Sequence, residues 1–167
     1  MTLSPALFRS LFAALALAAW GMASAGEVGK PAPDIVLRGS DGKEQKLSSL
    51  QGKVVYLDFW ASWCGPCRES FPWMNQMQER FAGQDVVVLA VNLDAKGADA
   101  DAFLARYPAK FRVAFDSEGT SAKQLGVKAM PTSFLIGRDG TLIAEHRGFR
   151  DSQKTTVEGE IQAALQK

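Results

Sequence analysis

Two cysteines, Cys64 and Cys67, lie three positions apart and are the only cysteines in the chain of 167 residues. A disulfide between them would close a loop too short to remove much entropy from the unfolded chain, so it would be a poor structural staple. A zinc site would need two further ligands, and the chain offers only His146 and carboxylates. The pair is therefore predicted to be a reactive dithiol.

The residues around the two cysteines predict how the dithiol is held. Residues 53–60 form an apolar run of strand length, and a helix is predicted from about Cys64 to Phe81. Pro66 falls in the first turn of this helix, where a missing N–H costs nothing. Cys64 then lies at the helix N-terminus, where free N–H groups favour a thiolate and make it the nucleophile. Cys67, on the same face at i+3, is predicted to resolve the mixed disulfide.

The first 26 residues differ in composition from the rest of the chain. Arg9 precedes an apolar segment at 11–20, and Ala23-Ser24-Ala25 matches the small-x-small pattern of a signal peptidase site. We predict a signal peptide over residues 1–25, cleaved after Ala25, and a single domain over residues 26–167. A membrane-anchored form is the less favoured alternative, since the apolar segment is short for a span of ~20 residues. The domain is expected in the oxidising periplasm.

Several motifs together resemble the thioredoxin superfamily. The string Trp63-Cys64-Gly65-Pro66-Cys67 resembles the thioredoxin active site, and further similar features occur in the expected order. These features are Asp58 before Phe59-Trp60, Pro72, the segment Val127 to Thr132 with Met130-Pro131, and a closing hairpin around Asp139-Gly140. The resemblance implies an α/β thioredoxin-like fold, in which a mixed central β-sheet is flanked by helices.

Additional predicted elements indicate one branch of this superfamily. After the strand at 86–92 there is room for a helix at about 99–107 and a strand at 111–115, which a minimal thioredoxin lacks. Two short extended segments, about 34–38 and 44–47, predict an N-terminal β-hairpin. A leader, a hairpin and a central helix-strand insertion together resemble the exported TlpA/ResA-like thiol-disulfide oxidoreductases.

The resemblance implies that Asp58 is the acid of the site. Many TlpA/ResA-like proteins have asparagine at this position and glutamate at the position of Ser70, whereas Glu69 here should point elsewhere on the helix. A buried Asp58 is expected to have a raised pKa and to exchange a proton with Cys67. Thioredoxins often place a lysine beside this acid, and that position falls at Ala90, so the carboxyl is expected to stay protonated to higher pH than in thioredoxins.

Substrate-binding residues are also implied by the resemblance. The bond between Met130 and Pro131 is expected to be cis, which turns the Met130 backbone toward the dithiol so that an extended substrate can pair with it. Trp63 is expected to be exposed beside the sulfurs, with Gly65-Pro66 completing the contact surface, whereas Trp60 is expected to pack in the core.

Other features carry weaker or structural predictions. The chain has 19 lysine and arginine residues and 18 acidic residues. This near balance of charge does not favour binding to nucleic acid, which normally requires a basic patch. The acidic cluster from Asp94 to Asp101 is predicted to be solvated. A C-terminal helix is predicted to begin at an N-cap formed by Asp151-Ser152. His146 is interpreted as an ordinary residue near a strand end, and no metal site is predicted.

The predicted function is an exported thiol-disulfide oxidoreductase that reduces specific protein disulfides, such as those of apocytochrome c or copper-site assembly proteins. Thr132 replaces the glutamate common after the cis-proline in cytochrome c maturation thioredoxins, which disfavours a dedicated haem-maturation role. No cofactor is implied. The expected partners are disulfide-containing proteins, which are the substrates, and a membrane thiol-disulfide reductant, which donates electrons. The protein itself is expected to be a monomer. The alternatives are a binding or chaperone module in copper-site assembly, or a peroxiredoxin-class thiol peroxidase.

Overall fold

The computed structural model describes residues 26–167, so the predicted signal peptide lies outside the described residues. Within these residues, seven strands and four α-helices follow one another, and the strands form one sheet. The strands are β1 Val36–Gly39, β2 Glu44–Lys46, β3 Val54–Trp60, β4 Val86–Asn92, β5 Arg112–Phe115, β6 Thr132–Ile136 and β7 Leu142–Arg147. The helices are α1 Gly65–Arg80, α2 Gly97–Arg106, α3 Thr120–Gln124 and α4 Lys154–Leu165.

The sheet is mixed, with the order β2-β1-β5-β4-β3-β6-β7. The central strand β3 runs parallel to β4 and antiparallel to β6, with Val55 opposite Ile136. Because β3 is covered on both faces, all seven of its residues are buried, which explains its almost continuous apolar sequence. The fold class predicted from the sequence is therefore confirmed.

Alternation along β3 divides the core into two layers. Val54, Tyr56 and Trp60 pack in a cluster that also contains both cysteines and residues of α1, α2 and α4. Val55, Leu57 and Phe59 point to the opposite face, where they contact the N-terminal strands, α3 and a 3₁₀ turn at Leu47–Leu50. The dithiol thus lies on the face that carries the three longest helices.

Both additions to a minimal thioredoxin are present. β1 and β2 pair as an antiparallel hairpin, and α2 with β5 forms the predicted central insertion. β5 lies between β4 and β1, so the insertion connects the N-terminal hairpin to the rest of the sheet. This arrangement extends the sheet at the edge opposite β6 and β7, and leaves the site accessible.

The start of the C-terminal helix differs from its prediction. Asp151–Gln153 forms a 3₁₀ turn, and α4 begins at Lys154 without any side-chain cap. The Asp151 carboxylate instead contacts the ammonium group of Lys154 at 2.8 Å. The predicted N-cap was wrong because the chain enters the helix through a tighter turn and Asp151 is used in an ion pair.

Candidate active site

The two cysteines form a disulfide at the N-terminus of α1. Cys64 is the N-cap residue, and its Sγ accepts a hydrogen bond of 3.3 Å from the backbone N–H of Cys67. This is the position at which a capping side chain normally satisfies a free helix N–H, so a negative charge on Sγ would be stabilised there. Cys64 is 4% exposed and Cys67 is fully buried. A partner can therefore reach the pair only at Cys64.

The residues next to the pair form an accessible apolar surface. Trp63 is 72% exposed, whereas Trp60 is completely buried among Phe71 and Phe103. Both placements agree with the sequence prediction. Pro66 occupies the first turn of α1 and is exposed. An indole left in solvent beside a disulfide is a typical contact point for another protein.

Asp58 lies beneath this surface, on the face of β3 that also carries Tyr56 and Trp60. It is 1% exposed, and its Oδ2 has no hydrogen-bond partner within residues 26–167. Burial raises the pKa of the Asp58 carboxyl well above its ordinary value, because no nearby cation offsets the loss of solvation. On β4 its direct neighbour is Ala90, as the sequence comparison with thioredoxins predicted. The Asp58 carboxyl thus binds its proton more tightly than an exposed aspartate does.

The acidic residue on α1 is placed elsewhere, as expected from the helical period. Glu69 is exposed on the outer face of α1. Ser70 is buried, and its hydroxyl donates to the carbonyl oxygen of Cys67 at 3.0 Å. Asp58 of β3 is therefore the buried carboxyl on the face of the sheet that carries the dithiol. The Ser70 hydroxyl is bonded to the backbone of its own helix.

The loop opposite the dithiol contains the Met130–Pro131 peptide bond, which is cis as predicted. Met130 packs against the core cluster that includes both cysteines, and it remains partly exposed. The carbonyl of Pro131 accepts from Gly148 at 2.8 Å, whereas Met130 has no backbone hydrogen bond within residues 26–167. The Met130 backbone is therefore available to pair with an extended chain.

Asp94 contributes to the site, although the sequence interpretation placed it in a solvated cluster. It is 5% exposed, and its carboxylate accepts from both the backbone N–H and the hydroxyl of Ser62 at 2.9 Å. The Asn92 amide donates to the same carboxylate at 2.7 Å. Asp94 thus anchors the loop that carries Trp63 and leads into Cys64. The available signal was its place just after β4, since the ends of parallel neighbouring strands meet at one edge.

Replacement of Asp94 by alanine is expected to lower the free energy of unfolding by about 2–3 kcal/mol, because two donors of the half-buried Ser62 and the amide of the buried Asn92 lose their acceptor. Ser62→Ala removes only the hydroxyl bond and should cost about 1 kcal/mol. Asp101→Ala is the matched control, since Asp101 is exposed in α2. Urea denaturation of the three variants measures the effects. Equal stability of Asp94→Ala and Asp101→Ala would contradict an anchoring role.

The surface around the dithiol is open. A cavity of about 780 Å³ lies between the β1-β2 hairpin and residues 108–114, and no predicted site residue lines it. In the same part of the chain, no three His, Cys, Asp or Glu side chains group closely enough to hold a metal ion, and no helix is both long and apolar enough to cross a membrane. The exposed Trp63 beside Cys64 gives a macromolecular partner a surface to contact.

Comparisons with known proteins agree with this geometry. A family model described as Redoxin matches residues 27–161. The thiol-disulfide oxidoreductase ResA of Bacillus thuringiensis subsp. konkukian is 38% identical over 122 residues, which cover 73% of this chain and 70% of that protein.

Two solved structures extend the agreement to the backbone. A crystal structure assigned as the thiol:disulfide interchange protein DsbE from Chlorobium tepidum has a TM-score of 0.81 and 55% identity, and the match covers 84% of this chain and 99% of that one. The exposed lipoprotein thioredoxin of Streptococcus pneumoniae strain TIGR4 has a TM-score of 0.69 and 33% identity, with coverage of 78% and 99%.

Proposed function

Since this chain belongs to the redoxin family and is a TlpA/ResA-like thiol-disulfide oxidoreductase of the thioredoxin superfamily, we propose that it reduces specific protein disulfides outside the cytoplasm. The observation that carries the proposal is the position of Cys64. Its sulfur caps α1, it is the accessible member of the pair, and it lies beside the exposed Trp63.

The surroundings of Cys64 favour a protein substrate. Trp63 offers a flat apolar contact, and the free backbone of Met130 next to the cis-proline can pair with one extended strand of the substrate. Backbone pairing accepts many sequences, so selectivity must come from the contacts around it, which include Gly65-Pro66. Apocytochrome c and copper-site assembly proteins are the substrate classes that we propose.

The chemistry proceeds in two exchanges. The Cys64 thiolate attacks one sulfur of the substrate disulfide, which breaks that bond, forms a mixed disulfide and releases one substrate thiolate. Asp58 in its carboxylate form then accepts the Cys67 proton, and the Cys67 thiolate attacks the Cys64 sulfur. The second substrate thiolate leaves, so the substrate gains two electrons and the protein becomes the disulfide. No cofactor takes part, because the two sulfurs carry the electrons.

The direction of electron flow follows from Gly65-Pro66 and from the compartment. Neither residue can donate a side-chain hydrogen bond or charge to the Cys64 sulfur, so the thiolate lacks the extra stabilisation of strongly oxidising relatives. In an oxidising periplasm the disulfide must be reduced again after each cycle. We propose that a membrane thiol-disulfide reductant donates these electrons to a monomeric domain of residues 26–167, released from the signal peptide after Ala25.

Measurement of the reduction potential tests this direction. We expect a value near the ~−270 mV of thioredoxin, which shares the Gly-Pro dipeptide, rather than near the ~−120 mV of DsbA. Equilibration in graded glutathione or dithiothreitol buffers, followed by the fluorescence of Trp63, gives the potential. A value near the DsbA end would mean that the protein donates disulfides and that the proposed direction is wrong.

A further inference from the structure

Three polar side chains form a row across β3, β6 and β7. Asp58 lies directly opposite Ser133, and Ser133 lies directly opposite His146. Residues directly opposite each other in antiparallel strands point to the same face, with Cβ atoms about 4.5–5.5 Å apart. The row therefore begins at the buried acid of the site and runs across the sheet, away from the dithiol.

Burial decreases steadily along this row. Asp58 and Ser133 are 1% and 3% exposed, and the His146 side chain is 15% exposed. The Nε2 atom of His146 lies 2.8 Å from a carboxylate oxygen of Glu160 on α4, whose side chain is 32% exposed. The row thus connects the interior of the protein to its surface at α4.

A second hydroxyl joins the inner end of the row. The Tyr56 side chain is also buried on this face, and its pKa is raised, first by burial and then by the charge of the nearby Asp58. A hydroxyl both donates and accepts, so Ser133 can pass a proton from Asp58 to His146 once its side chain rotates into hydrogen-bonding distance of both. The Glu160 contact is made through Nε2 of His146, so exchange with Ser133 would have to use Nδ1.

The other described neighbours of Asp58 on this face are not placed between it and the surface at α4. Ala90 faces it from β4, Cys67 lies in the core cluster below α1, and Trp60 follows on β3. On α4 the other nearby acid, Glu158, is engaged by the indole of Trp73 and by Arg80. When a substrate covers Trp63 and Cys64, the face of the dithiol is closed to water, and a proton taken up by Asp58 has to leave in another direction.

We propose that Ser133, with Tyr56, and the pair His146–Glu160 form a proton path between Asp58 and solvent at α4. This inference rests on the proposed function, in which Asp58 takes the Cys67 proton during resolution. The proton moves from Asp58 to Ser133 while Ser133 releases its own proton to His146, and His146 releases one to Glu160 or water. Each hydroxyl regains a proton, no net charge stays buried, and re-reduction of the disulfide runs the path in reverse.

Ser133→Ala tests the path at its buried step. The rate at which the reduced protein is oxidised by oxidised glutathione is measured at concentrations where it no longer depends on glutathione, together with the reduction potential. The rate is expected to fall about tenfold, part of the usual contribution of general base catalysis, whereas the potential should not change, because a path alters rates and not equilibria. Ser121→Ala is the control, since Ser121 is an equally buried hydroxyl on α3, bonded to Asp116. An unchanged rate, or a potential that shifts with the rate, overturns the path.

His146→Ala tests the outer step of the path. Its readout, rescue of the rate by added imidazole, is not expected if the contact is purely structural. The rate is expected to fall, and added imidazole should restore it in this variant but not in Ser133→Ala. Absence of rescue, with a rate loss that follows lost stability, would show that the pair His146–Glu160 only joins β7 to α4.

Asp58→Asn is measured in parallel. If Asp58→Asn is slow while both other variants react normally, the path fails and the proposed role of Asp58 stands; if Asp58→Asn reacts normally, the proposed role itself fails.

Discussion

Replacement of Cys67 by serine is expected to stop multiple turnover and to trap the protein as a covalent mixed disulfide with its substrate. The reason is that the buried Cys67 sulfur, bonded to Cys64 in the disulfide, is the neighbour that releases the substrate. An external thiol at millimolar concentration would have to replace a neighbouring group whose effective molarity is on the order of 10⁵ M or more, so turnover should fall by at least about a thousandfold. Non-reducing electrophoresis and intact-mass measurement detect the adduct.

Cys64→Ser is the matched variant for this experiment. It removes the accessible sulfur, so it should form no adduct and show no turnover, although Cys67 is still present. Turnover of Cys67→Ser at the unmodified rate, or an adduct that forms equally on Cys64→Ser, would show that the roles of the two sulfurs have been assigned incorrectly.

Asp58→Asn is expected to slow the resolution step by about a hundredfold at neutral pH, a common contribution for a positioned general base. The sign of the pH dependence follows from burial, which raises the pKa of the carboxyl. Because only the carboxylate accepts the Cys67 proton, the rate of the unmodified protein should rise as pH increases through this raised pKa. The variant should lack that rise. Stopped-flow rates of oxidation across the pH range measure both effects.

The same substitution, Asp58→Asn, should raise the stability of the fold at alkaline pH although it lowers activity. Asp58 has a raised pKa in the folded protein, so the folded state binds more protons than the unfolded state between the ordinary value of 3.8 and the raised value. Stability of the unmodified protein is therefore lost as pH increases through this window, by up to about 1.4 kcal/mol per pH unit. Asp58→Asn should not show this loss, and should be the more stable protein at alkaline pH in urea denaturation. Asp94→Asn, which alters the anchored carboxylate, should not remove the slope.

Much of the site could be predicted because its determinants are local in the sequence. A dithiol at the start of a helix, an exposed Trp63 and a cis bond before Pro131 each follow from a few adjacent residues and their resemblance to thioredoxins. The placement of Ala90 beside Asp58 followed from the resemblance to thioredoxins, which often have a lysine at that position of the following strand. These elements were confirmed by the structure because strand register and helix start are strongly specified where both faces are buried.

The features that were missed depend on contacts between distant segments. Asp94 looked like a member of an acidic surface cluster, and only its pairing with Ser62 in three dimensions makes it an interior residue. The row from Asp58 to His146 likewise exists only once β6 and β7 are in register with β3. A single polar residue in a short strand, such as Ser133, gives no sequence signal of the residues it will face until the strand register is known.

The order of strands has a consequence for the time at which this chain becomes compact. The central strand β3 receives its second neighbour, β6, only from the last third of the chain, and the N-terminal hairpin docks on β5 rather than on a strand close to it in sequence. Pairing across such separations slows folding, because loop entropy is lost before long-range contacts form. Export through a narrow channel requires a chain that is still unfolded. Under the export proposed above, late completion of the sheet would leave time for the chain to be engaged before it becomes too compact to pass.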